Sequence, residues 1–187
     1  MERCKKAIEN ALSGRYTVII SSGDPGIYGM AGLIVELLIK EDLLSEIDLE
    51  IIPGVPALCA ASSLLGAPLM NDFSVISLSD LLTPWHVIEK RIKASLEGDF
   101  VIVLYNPKSK KRNWQLKKAL SLIQEKRGDV PVGIVKNAMR EGETVIIRNI
   151  NDVDESTVDM NTILIVGNSE TFTFGRFMIT PRGYNIE

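Results

Sequence analysis

Five polar loops each follow an apolar run in this sequence: SSGDPGIYG at 21–29, PGVPALCA at 53–60, YNPKSKKR at 105–112, KNAMREGE at 136–143 and VGNSE at 166–170. In open α/β sheets ligands bind beyond the carboxyl ends of the strands, so any chemistry belongs to these loops. They offer backbone donors and acceptors, small side chains, and the polar residues Asp24, Asn106, Asn137 and Asn168. They contain no Ser/His/Asp set, no metal-ligand spacing and no paired carboxylates. Such a set positions a reactive cofactor rather than attacking a substrate itself.

The first loop is the densest. Gly23, Gly26 and Gly29 let the backbone approach a ligand closely, because no Cβ holds it away. Asp24 has two readings, a ligand contact or a cap for the helix after Pro25. Gly54 likewise either closes a turn after Pro53 or lets a ligand in. His86, the only histidine, reads as a surface or capping residue rather than a base. The cations Lys108, Lys110, Lys111 and Arg112 read either as a solvated face or as a place to steer a multiply anionic substrate.

The elements that carry these loops follow from periodicity. A helix over 3–13 is stopped by Gly14, then come a strand at 16–20, a helix at 30–40, a strand at 47–52 and a helix at 57–65. Repeated strand-loop-helix units imply right-handed crossovers and a parallel sheet. A composition shift at Gly66-Ala67-Pro68 and a polar break at Asn71-Asp72 place a boundary or hinge near 68–72, between an N-terminal α/β domain, 1–68, and a C-terminal α/β domain, 73–187. The second domain opens with a strand at 73–78, a helix started by Thr83-Pro84, a strand at 100–105 and a helix ending at Gly128. Strands at 132–136, 144–148, 162–166 and 177–180 then follow with short turns, so this sheet is mixed. The expected class is α/β, two domains in tandem, the first with a parallel sheet.

Bulk properties narrow the function. With 187 residues, 45% of them hydrophobic, the chain can bury a real core. A net charge of -3 argues against nucleic-acid or anionic-membrane partners. Cys4 and Cys59 lie far apart and outside any CxxC spacing, and no apolar run reaches the length of a membrane span, so a reducing cytoplasm is expected.

The segments SSGDPGIYGMAGLIVELL, EIIPGVPALCAASSLLGAPLMNDFSVISLSDLLTPW, FVIVLYNPKSKKRNWQL, VGIVKNAMREGE, ILIVGNSETF and MITPRGY resemble the tetrapyrrole methylases of corrin biosynthesis. ISLSDLLTPW, LYNPKSKKR and TPRGY resemble the branch that methylates C17 of precorrin-3B or cobalt-factor III with ring contraction. The resemblance implies a homodimer of two-domain chains, S-adenosylmethionine held largely by backbone atoms between the domains, and a tetrapyrrole substrate. Carried over by position, it implies cofactor contacts at Gly23, Asp24, Ile27, Gly29, Pro56, Ala57, Tyr105, Asn106, Asn137, Ala138 and Thr162. Where the family has Thr, Pro56 has neither hydroxyl nor N–H. The carboxylate-rich macrocycle would meet Lys108, Lys110, Lys111, Arg112 and Arg140, and the polar candidates for proton transfer are Asp24, Ser79, Asp80 and Tyr105. No metal is expected. Family members begin with a strand ending in a GxGPG turn that this sequence does not contain, so the first sheet is expected to lack a strand and expose a hydrophobic edge. Methylation at another ring position, and a truncated, inactive binding or assembly module, are the alternatives.

Overall fold

A computed structural model describes residues 1–110 and 112–185. It divides into two compact units, Met1–Pro56 and the remainder from Ala57.

In the first unit, α1 (Glu2–Leu12) buries Cys4 and Ile8, one helical turn apart, against Ile34, Leu37 and Leu38 of α2 (Ala31–Lys40). Gly14, at φ +79°, ends α1 as the sequence predicts. The two segments read as strands, 16–20 and 47–52, form no ladder among the described residues. They border an apolar groove of about 620 Å³. Tyr16, Val18, Ile20, Ile51 and Ile52 are exposed along them. A strand is defined by the neighbour that takes its hydrogen bonds, and neither segment has one here. The apolar side chains along both segments are exposed, and the strand assignments do not hold among the described residues.

The second unit is built on a five-stranded sheet. Its strands are β2 (Phe73–Ser77), β3 (Val101–Tyr105), β4 (Pro131–Lys136), β5 (Thr144–Asn149) and β6 (Thr162–Val166), in the order β2-β3-β6-β4-β5. β2 and β3 are parallel and the other pairs antiparallel, giving the mixed sheet expected. The continuous apolar runs VIVLY and TILIV are explained by cover on both faces. Ile102, Leu104, Leu164 and Val166 pack under α4 (Trp85–Glu97) and α5 (Gln115–Arg127), while Val101, Val103, Ile163 and Ile165 pack with Leu58, Ala61 and Leu65 of α3 (Ala57–Leu65). Gly133 is the seat for α3, since a Cβ there would lie 2.4 Å from a methyl of Leu65.

A second sheet is made of β1 (Gly66–Ala67), β7 (Phe172–Phe174) and β8 (Phe177–Ile179), with β1 and β8 parallel. β1, a two-residue strand just ahead of the boundary read near 68–72, was not anticipated. β7 was not anticipated either. It is a three-residue strand closed onto β8 by Gly175-Arg176, with Gly175 at φ +58°.

Candidate functional site

In the first unit the GDP loop is organised by Asp24. Its Oδ1 accepts from the Gly26 N–H at 2.8 Å and its Oδ2 from the Gly54 N–H at 3.0 Å, so one carboxylate ties the 21–29 loop to the 53–56 turn. These bonds, first from Gly54 and then from Gly26, hold the Asp24 carboxyl below its ordinary value of 3.8. Asp24 does not cap the helix after Pro25; it braces two loops. The backbones touch at the same place, because a Cβ on Gly54 would lie 2.3 Å from the Gly23 carbonyl oxygen. Gly29 is equally constrained, 2.4 Å from the Pro25 oxygen on the same test. Ile27 is exposed and Pro56 half-buried on these loops.

The Asp24 brace has a signed pH dependence. Its folded value is depressed, so its contribution is complete above the ordinary carboxylate range and is lost as pH falls through the lower, folded value. Asp24→Asn can accept one N–H but presents its amide nitrogen to the other. We expect it to leave α1 and α2 folded, to weaken ligand binding at this loop about tenfold, and to remove this acid transition. Thermal melts from pH 2 to 6 check the last point; an unchanged acid limb would contradict it.

In the second unit the strand ends gather along one edge. Registers place Ser77 opposite Tyr105, and Lys136 opposite both Thr144 and Thr162. Tyr105 Oη accepts from the Leu58 N–H at 2.9 Å, which brings the start of α3, with Ala57, to that edge. The residues just past β3 and β4, Asn106 and Asn137, have φ of +49° and +50°, and Met139 has +58°. Asparagine tolerates this left-handed turn better than most residues, and such strain clusters at binding loops. The Asn106 amide donates to Ser77 Oγ at 2.9 Å, and its carbonyl accepts from Arg112. The Asn137 N–H donates to the Asn161 carbonyl at 3.0 Å, its side chain to the Gly142 carbonyl at 3.3 Å, and its own carbonyl accepts from Arg140 N–H at 2.9 Å. Ala138 is half-buried between these bonds.

Other candidates are committed elsewhere. The Thr162 hydroxyl donates to Asp159 Oδ1 at 2.9 Å and accepts from the Asp159 N–H at 3.1 Å, inside a bracket completed by Lys136 at 2.8 Å from Asp159. Asp80 accepts from Gln115 at 2.8 Å, while the Ser79 N–H donates to Ser77 Oγ at 3.2 Å. Within the basic run, Ser109 and Arg112 form an antiparallel bridge that curls the loop back. Arg112 is buried, bonded to the Asn106 carbonyl and Met160 sulfur, and burial lowers its pKa against the pull of Asp80. Lys108 donates to the Glu155 carbonyl at 2.8 Å; Lys110 and Arg140 are exposed, and Lys111 lies outside the described residues. Sequence reasoning missed Ser77 and Gln115, whose only signal was their place next to loops, and the exposed pair Leu81-Leu82.

Comparison with known proteins decides the family. The family model for Tetrapyrrole (Corrin/Porphyrin) Methylases matches residues 1–154. The chain belongs to this family. It is 52% identical over 187 residues to the probable cobalt-factor III C(17)-methyltransferase of Salmonella typhimurium, spanning 100% of this methylase and 77% of that protein. With the precorrin-3B C(17)-methyltransferase of Sinorhizobium it shares 38% over 191 residues, covering 98% of this chain and 75% of that one. The crystal structure of the methyltransferase CobJ superposes with a TM-score of 0.90 at 34% identity, over 96% of this chain and 76% of that chain. A uroporphyrin-III C-methyl transferase from Thermus thermophilus, solved with S-adenyl homocysteine, shares the fold at a TM-score of 0.60 and 21% identity, over 89% and 72% of the two chains. The α/β class read from the sequence is thus that of the methylase family.

Proposed function

We propose that this methylase transfers a methyl group from S-adenosylmethionine to C17 of a corrin precursor, cobalt-factor III, with contraction of the ring, in cobalamin biosynthesis. The observation that carries the reading is 52% identity over the whole chain to a relative named for that reaction. Identity to the relative named for precorrin-3B is lower, at 38%, which favours the cobalt-containing substrate.

The residues present fit such a cofactor. The loops are lined by backbone at the Gly23–Gly54 contact, where no side chain can enter, and the left-handed turns at Asn106 and Asn137 follow strand ends. We assign the cofactor to Gly23, Ile27, Gly29 and Pro56 in the first unit, with Asp24 bracing the loops. In the second unit we assign it to Ala57, Tyr105, Asn106, Asn137 and Ala138, with Thr162 behind them. When bound, the cofactor supplies an electrophilic methyl on sulfur with a neutral thioether leaving group, so no protein nucleophile is needed. The chain must orient the two reactants and keep water out. Of the polar candidates, Asp80 and Tyr105 lie at the sheet edge, and Asp80 is the half-buried carboxylate within the branch motif ISLSDLLTPW. Lys110 and Arg140 supply exposed positive charge for the substrate's carboxylates.

We further propose a cytoplasmic homodimer. Among the described residues no helix is long and apolar enough to cross a membrane, and Cys4 and Cys59 are both free thiols. The exposed Phe172 and Phe174 of β7 offer apolar surface for a second copy.

Offering cobalt-factor III and precorrin-3B in parallel tests the substrate. Turnover of the cobalt compound should exceed that of the metal-free one by about tenfold or more. A preference for precorrin-3B would reverse the assignment.

A further inference from the structure

The loop after β2 carries an apolar pair that the fold does not use. Leu81 is 83% and Leu82 97% exposed. They are not on a loose segment, because both flanks are anchored. Leu78 is fully buried and Asp80 is bonded to buried Gln115. On the other side, Trp85 packs edge-on against Trp114 with ring centroids 4.8 Å apart and donates its indole N–H to Glu89 at 3.2 Å. Trp114 itself is 48% exposed, so it extends the apolar surface beyond the leucines. This surface leads off the end of β2, the sheet edge that also carries Asn106 and Asn137.

Charge along the neighbouring 108–118 segment is one-sided, while Asp80 and Glu89 are the carboxylates at the flanks of the pair. Residues 108–118 hold six cations and no acid, in a chain whose net charge is -3. Lys108 and Arg112 turn to backbone carbonyls, which leaves Lys110, Lys117 and Lys118 outward. Lys117 and Lys118 follow Trp114 by one helical turn and so share its side of α5. Lys118 lies in the field of Glu89. Lys110 and Lys117 are the cations without a described acidic partner.

We propose that Leu81, Leu82 and Trp114 form the bed for the apolar face of the substrate macrocycle, with Lys110 and Lys117 meeting its carboxylates. The assignment rests on the tetrapyrrole reading above. A flat conjugated ring with a carboxylate rim matches an apolar surface bordered by cations, and burying the leucines on binding explains why they are held out in the free protein.

The test uses the full chain carrying Leu81→Ser and Leu82→Ser. It is titrated with uroporphyrin III, a macrocycle with carboxylates all round its rim, by quenching of its two tryptophans. S-adenosylhomocysteine is titrated separately by calorimetry. The porphyrin Kd should rise about tenfold or more, with the homocysteine-ligand Kd and the Tm unchanged, since both leucines are exposed. Lys110→Glu with Lys117→Glu should weaken porphyrin binding and flatten its salt dependence. Unchanged porphyrin affinity in the leucine variant, equal loss of both ligands, or no porphyrin binding by the native chain would overturn the bed. Failure of S-adenosylhomocysteine to bind the native chain, with porphyrin binding still dependent on the leucines, would overturn the methyltransferase reading and leave the bed standing.

Discussion

Arg127→Ala is expected to destabilise the second unit by about 3–5 kcal/mol, the usual cost of removing one partner from a buried charged network. The Arg127 side chain, at the end of α5, is 5% exposed. Its Nη1 donates to the Gly167 carbonyl at 2.9 Å, and its Nη2 to the carbonyls of Phe100 at 2.7 Å and Ser95 at 3.3 Å. One guanidinium thereby joins the end of α4, the entry to β3 and the exit from β6. Its Nε lies 3.5 Å from Asp99 but makes no hydrogen bond among the described residues, so the carbonyls are the main holders. Burial pulls its pKa down and Asp99 pulls it back. Removing it takes the side-chain donor from the carbonyls of Gly167 and Phe100, each costly to leave unmet, while the Ser95 carbonyl keeps the Phe100 N–H at 3.0 Å. A domain of this size should lose roughly 10 °C in Tm. Arg127→Lys, which reaches fewer of the three carbonyls, should fall between. A loss below about 1 kcal/mol, the level of a surface pair, would contradict this account.

Gly54→Ala is the second large effect, and it acts on function. The new Cβ would lie 2.3 Å from the Gly23 oxygen and 3.0 Å from the Gly23 carbon. Backbone cannot yield as a side-chain tip can, so the two loops must part by about 1 Å, and the Asp24 bond to the Gly54 N–H stretches with them. Displacement on that scale costs about a hundredfold in positioned chemistry. We expect S-adenosylhomocysteine affinity to fall by that order, with a stability loss of roughly 1–3 kcal/mol from overpacking. Gly32→Ala is the control. A Cβ there meets nothing within 4 Å, in the first turn of α2. It should hold or raise Tm by its helix propensity and leave binding untouched. Equal binding losses in both variants would show that the Gly23–Gly54 contact is not special.

Much of the second unit was legible in the sequence because its elements are long and strongly patterned. The continuous apolar run at 100–105 marked β3, and the helical spacing of Leu116, Ala119, Leu120 and Ile123 marked α5. The stops at Gly14 and Gly128 were readable because both glycines hold positive φ. Short elements were not legible. Gly66–Ala67 has no period to detect, and β7 exists only through its pairing with β8. The segments 16–20 and 47–52 have strand composition but lack the pairing that composition cannot supply.

Side-chain commitments were the least legible part of the site. Arg112 looked like a solvent-facing cation until the 109–112 bridge turned it inward. Thr162 looked available until Asp159 occupied its hydroxyl. Asp24 looked like a cap or a contact, and its partner proved to be an N–H thirty positions away. Each depends on a bond between residues that only the fold brings together. Leu81 and Leu82 stand within the motif ISLSDLLTPW but outside the helical face of Trp85, Ile88, Ile92 and Leu96, and that mismatch was their available signal.

Methyl transfer itself tests the central claim most directly. The chain is incubated with cobalt-factor III and S-adenosylmethionine labelled in its methyl group, and the macrocycle is then isolated and analysed by mass spectrometry and carbon NMR. The account predicts one labelled methyl per macrocycle, located at C17 of a contracted ring, formed catalytically and slowed about a hundredfold in Gly54→Ala. Label at another ring carbon, or a chain that binds both ligands and transfers nothing, would contradict it.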